Sequence, residues 1–92
     1  MLKITVIDDE KEYIELIRQT VDNWLMEKGC QGEIDCFDHA EDFKAQIEAG
    51  RCYDIYFMDI EMPDINGMEL AAYIRMKYDS PYIVFVTAHM EY

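Results

Sequence analysis

Two hydrophobic periods take turns along this chain. Leu2 to Ile7 is almost continuously apolar and rich in β-branched residues, as in a strand covered on both faces. From Glu10 to Lys28 the apolar residues Ile14, Ile17, Val21, Trp24 and Leu25 recur at helical spacing, and Gly29 supplies the C-terminal cap. Glu33 to Phe37 alternates polar and apolar, which predicts a less buried strand at a sheet edge. Asp38 and Glu41 form a D-x-x-E capping box ahead of Phe43 and Ile47, and Gly50 stops that second helix. Tyr53 to Met58 reads as a buried strand, followed by loop punctuation from Glu61 to Gly67. Leu70, Ala71, Ile74 and Tyr78 line one face of a third helix, Asp79-Ser80-Pro81 breaks it, and Tyr82 to Val86 is a last apolar strand. The order βαβαβαβ, with right-handed crossovers, predicts an α/β fold with a parallel sheet and helices on both faces.

Composition narrows the function. A chain of 92 residues holds one small domain, and 51% hydrophobic content excludes wholesale disorder. Twenty acidic against eight basic residues leave a net charge of −12, which argues against direct binding to nucleic acid or anionic lipid and favours cations and basic protein surfaces. Cys30, Cys36 and Cys52 are odd in number, lack CxxC spacing and have only His39 and His89 as company, so neither a disulfide framework nor a zinc site is indicated. Reduced, mostly buried thiols are expected. Met1-Leu2-Lys3 leads straight into a strand and no apolar stretch reaches membrane-spanning length, so a cytoplasmic location is expected.

Three acidic positions carry the chemistry. Asp8-Asp9 follows the first strand and Asp59 closes the run Ile55-Tyr56-Phe57-Met58. If those strands are parallel neighbours, their carboxyl ends bring three carboxylates to the edge where open α/β sheets place ligands. Asp9 with Glu12 also satisfies a capping box for the first helix, so its role stays open. Converging carboxylates repel one another, and a hard divalent cation is the usual remedy; Mg2+ suits a site that must also leave room for a phosphate oxygen. Asp59 would then be the nucleophile that accepts a phosphoryl group. Thr87-Ala88 follows the fourth strand at the same end, offering a hydroxyl and an accessible backbone N–H. A calcium-loop reading of Asp64-x-Asn66-Gly67 fails, because the first and last ligand positions fall on Met62 and Tyr73. Gly67 is better explained as a residue whose missing side chain lets the loop turn into the third helix. His89 reads as an exposed loop histidine, and there is no glycine-rich nucleotide loop or serine nucleophile motif.

The segments Ile7-Asp8-Asp9-Glu10, Asp54 to Pro63, Asp64 to Leu70 and Ile83 to Ala88 cover the chain in order, and together they resemble the receiver domain of two-component response regulators. That resemblance implies a flavodoxin-like, doubly wound sheet of order 2-1-3-4-5. It implies Asp59 as phosphoacceptor, Asp9 and Asp59 as direct Mg2+ ligands, Asp8 acting through water, Glu61 contributing its backbone carbonyl and Thr87 as the switch hydroxyl. It further implies a sensor histidine kinase as phosphodonor and a phosphoacceptor signalling role that is not that of an enzyme. By the same resemblance residues 1–92 are the N-terminal portion of the domain, cut short after the fourth strand, so that a homodimer or higher assembly is expected through Tyr82 to Tyr92. Val86 to Tyr92 is similar to regulators with a LytTR-type DNA-binding domain, which implies transcription control through a part absent here. A phosphorylation-independent interaction domain of the same fold and a magnesium-dependent phosphatase are the rival readings. Intact Asp8, Asp9, Asp59 and Thr87 count against the first, and Glu61 in place of a second Asp against the other.

Overall fold

Residues 1–63 and 65–86 are described by the computed structural model, and Asp64 and residues 87–92 lie outside them. The elements are β1 (Leu2–Ile7), α1 (Lys11–Lys28), β2 (Gly32–Phe37), α2 (Ala40–Glu48), β3 (Ile55–Met58), α3 (Gly67–Lys77) and β4 (Tyr82–Phe85). All strand pairs are parallel and the order is β2-β1-β3-β4, so the alternating strand is indeed at an edge. The fold is of the flavodoxin-like class expected from the chain. Continuous apolar β1 sits inside the sheet, and Ile4, Thr5, Val6 and Ile7 are all buried.

Two cores flank the sheet. The larger, under α2 and α3, gathers Ile7, Phe43, Ile47, Tyr53, Tyr56, Met58, Leu70 and Ile74. Phe43 meets Tyr56 edge-on at a centroid distance of 6.1 Å, a favoured aromatic geometry. The smaller, under α1, holds Ile4, Val21 and Leu25, with Ile17, Ile55 and Phe57 partly buried beside them. One helix of about 10 Å diameter cannot cover four strands spaced about 4.8 Å apart. An open groove of about 670 Å³ therefore remains on that face, between Ile17, Val21 and Trp24 of α1 and Phe57, Tyr82 and Val84 of the sheet. Trp24, expected on the apolar face of α1, is 44% exposed at its rim for this reason.

Local details correct the sequence reading in several places. Gly29 does cap α1: φ is +65°, its N–H donates to Met26 O and the Cys30 N–H to Leu25 O at 2.9 Å, the Schellman arrangement. Neither capping box forms. The N-cap of α1 is Glu10 and that of α2 is His39, and neither makes a side-chain cap bond. Asp38 comes too early, because α2 starts only at Ala40 and has His39 as its N-cap, and the Asp38 carboxylate instead meets His39 Nδ1 at 3.0 Å and Lys11 Nζ at 3.9 Å. The three thiols are free as expected but exposed, not buried. Cys30 lies past the helix cap, Cys36 on the edge strand and Cys52 in the loop before β3, where little packs over them. β3 begins at Ile55, not Tyr53, since the Asp54 carboxylate takes the Lys3 N–H at 2.8 Å that a strand carbonyl would otherwise accept.

Candidate functional site

Strand register places the acids. Ile7 pairs with Met58, and the ladder runs one bond further on each side: Asp8 N–H donates to Phe37 O and Asp59 N–H to Ile7 O, each at 3.1 Å. Asp8 and Asp59 thus leave neighbouring strands side by side at the carboxyl edge, both 1% exposed. Asp9, one residue further along, is exposed at the mouth. Each of the three carboxylates offers an oxygen within 4.8 Å of the others. The expected convergence of Asp8, Asp9 and Asp59 is therefore present.

Hydrogen bonds fix the two buried carboxylates unequally. Asp8 Oδ1 accepts the Glu10 N–H at 2.9 Å, which holds the start of α1 and explains why Asp9 is not its cap. Asp59 Oδ1 accepts the Glu61 N–H at 3.2 Å, while its Oδ2 is buried with no hydrogen-bond partner. A buried carboxylate oxygen left unpaired is costly unless something outside the protein chain meets it. Burial, above all, raises the Asp8 carboxyl to about 6; the charges of Asp59, Asp9 and Glu10 add to this and the Glu10 N–H opposes it. A hard cation among these oxygens would remove both penalties, so the donor set fits Mg2+. A second cluster, Asp38, His39 and Asp42, differs in kind: it lies at the surface and Asp38 already meets His39 and Lys11.

Glu61 is exposed, with its main chain tied to Asp59 through the same N–H. Thr87, Ala88 and His89 lie outside the described residues, as does Asp64. Val86 N–H donates to Met58 O at 2.8 Å, so the chain leaves β4 directly beside the end of β3, which leads into Asp59. The missing Gly67 side chain does let the loop turn into α3, as expected, but sequence reasoning missed what the space is needed for, the backbone of Asp59. Gly67 does not have the positive φ of Gly29 and Gly50; a Cβ there would stand 2.2 Å from Asp59 O and 2.8 Å from Ile60 Cα. Its glycine is required by close approach, which a pattern of turn residues does not reveal.

Comparison with known proteins agrees with this geometry. The family described as "Response regulator receiver domain" matches residues 4–92. The chain is 36% identical over 91 residues to the transcriptional regulatory protein SpaR of Bacillus subtilis, covering 99% of this chain and 37% of that protein. It is 39% identical over 93 residues to the transcriptional regulatory protein LytR of Staphylococcus aureus, covering 99% and 35%. It thus spans only about a third of either relative. Among solved structures, the response regulator TrrA of Thermotoga maritima in complex with Mg2+ and BeF is 34% identical with a TM-score of 0.79, covering 97% of this chain and 71% of that one. TrrA in complex with the histidine kinase ThkA matches at 37% identity and a TM-score of 0.71, covering 100% and 73%.

Proposed function

The chain belongs to the response regulator receiver family, and from that premise we propose that Asp59 accepts a phosphoryl group from a sensor histidine kinase, with Mg2+ held by Asp8, Asp9, Asp59 and the Glu61 main-chain carbonyl. The observation that carries this is the buried, unpartnered Asp59 Oδ2 among two further carboxylates. Bound Mg2+ would neutralise the acidic cluster and the charge developing on the transferred phosphoryl group. Asp59 Oδ2 is the free nucleophile: its bond to phosphorus forms as the bond from phosphorus to the donor histidine nitrogen breaks, giving an acyl phosphate and a released imidazole. The Glu61 N–H holds Asp59 Oδ1 and so leaves Oδ2 without a partner among the described residues. Asp8, anchored by Glu10 N–H, completes the acidic wall. Thr87 is assigned the hydroxyl that meets a phosphoryl oxygen and Ala88 the accessible N–H; the exit of Val86 beside Met58 supports both.

Support for a kinase partner comes from TrrA, which was solved with the histidine kinase ThkA. Transcription is the proposed output because SpaR and LytR are transcriptional regulatory proteins, with DNA contacted through parts outside these residues. Among the described residues no helix is long and apolar enough to cross a membrane, which suits the proposed cytoplasmic location. The 71% coverage of TrrA supports reading residues 1–92 as the N-terminal portion of a receiver, for which we propose a homodimeric or higher assembly. Intact-mass analysis after incubation with a small phosphodonor and Mg2+ tests the function, on a chain extended through a fifth strand. One added phosphoryl group is expected on wild type and none on Asp59→Asn; a phosphorylated Asn variant would sink the assignment.

A further inference from the structure

We infer that Gly67, the first residue of α3, is a positioning residue for the acidic site, acting through the peptide that joins Asp59 to Ile60. The inference rests on the Mg2+ site proposed above. Gly67 N–H donates to Ile60 O at 2.7 Å, closing the loop that follows β3 onto the start of the helix. The same approach brings the Gly67 Cα so near that a Cβ would lie 2.2 Å from Asp59 O, 2.8 Å from Ile60 Cα and 3.0 Å from Asp59 C. These are backbone atoms, which cannot swing aside as a flexible side chain would. Asn66 fixes the helix start from the other side, its Oδ1 accepting the Met68 N–H at 2.7 Å and its carbonyl the Leu70 N–H at 3.1 Å.

The consequence runs straight to the site. The pinned peptide sets the direction in which the Asp59 side chain leaves β3, and it sets the position of Glu61, whose N–H holds Asp59 Oδ1. Gly67 touches no bound group, yet any side chain there must push Asp59 and Ile60 away from α3. A carboxylate displaced in this way no longer converges with Asp8 and Asp9. Changes to groups that orient a metal ligand typically weaken binding by about 10- to 100-fold.

Isothermal titration with MgCl2 on the 92-residue chain reads this, at a temperature where circular dichroism shows each variant folded. Gly67→Ala is expected to raise the Mg2+ Kd by about 10-fold or more. Ile74→Ala, in the same helix and fully buried against the core, lowers stability without touching the Asp59 peptide and should keep the wild-type Kd. A Gly67→Ala protein that binds like wild type would overturn the inference, as would an Ile74→Ala protein that loses affinity equally. Should Gly67→Ala not fold, Asn66→Ala loosens the helix start without adding an atom beside Asp59. A several-fold weaker Kd then upholds the inference and an unchanged Kd overturns it. A wild-type chain that takes up no Mg2+ would instead refute the metal site itself, and the two failures are distinguishable.

Discussion

Asp8 and Asp59 are destabilising in isolation, and this sets what single substitutions should do. Three carboxylates within reach of one another, two of them buried and one at the mouth, repel by an amount on the order of 1 kcal/mol or more per charge removed. In chelator, Asp59→Asn should therefore melt higher than wild type. Mg2+ should raise the wild-type midpoint and hardly move that of Asp9→Ala; equal responses would remove Asp9 from the metal site. The pH dependence follows from Asp8. Its carboxyl titrates near 6 in the folded protein against an ordinary 3.8, so between those values the folded state holds more protons than the unfolded one. This group's contribution to stability is thus largest at low pH and falls as pH rises from about 4 to about 6 in the absence of metal. Urea midpoints measured across that window should show a decline that Asp8→Asn lacks. Mg2+ uptake has the opposite sense, weakening below pH of about 6 as Asp8 takes up its proton.

At the scale of elements, helix ends separate real caps from sequence mimics. Asn66 accepts the Met68 N–H, whereas Asp38 caps nothing. Asn66→Ala should cost about 1 kcal/mol and Asp38→Ala less than about 0.5 kcal/mol, compared by urea denaturation. Gly29→Ala should cost about 1 kcal/mol through its φ of +65° alone, since a Cβ there would meet nothing within 4 Å. The type and order of every described element was legible, because apolar periods of 2 and 3.6 are set by which face is buried. The limits of β1 and the Gly29 cap could be read to the residue. The Asp38 capping box was misread because the pattern does not fix the first residue of the helix, which is Ala40, and Asp9, whose role the sequence left open, is not the cap of α1, since Asp8 engages the start of that helix. At the site, the convergence of Asp8, Asp9 and Asp59 followed from strand pairing alone. The approach of Gly67 to Asp59 did not, because no local pattern encodes a contact between backbones.

For the whole molecule, the two faces of the sheet are unequally covered. Two helices pack on one side and one on the other, leaving the groove beside β4, and no strand pairs with the outer edge of β4 among the described residues. Open edges and apolar patches seek another chain, and exchange of identical elements is a low-cost way to satisfy them. The 92-residue chain is accordingly expected to assemble as a dimer or higher species joined through the Tyr82 to Tyr92 region. Size exclusion with light scattering decides this: a monodisperse monomer with a sharp cooperative melt across micromolar concentrations would contradict it.

Trp24, at the rim of that groove, is the protein's single tryptophan. An indole that is 44% exposed emits partly into water, and whatever comes to lie over the groove must dry it. The chain therefore carries its own optical gauge of coverage: emission should shift to shorter wavelength and resist acrylamide as protein concentration rises. The acidic site lies at the carboxyl edge, away from this indole, so adding Mg2+ to dilute protein should leave the spectrum nearly unchanged. Filling the groove and loading the site can then be followed separately in one cuvette.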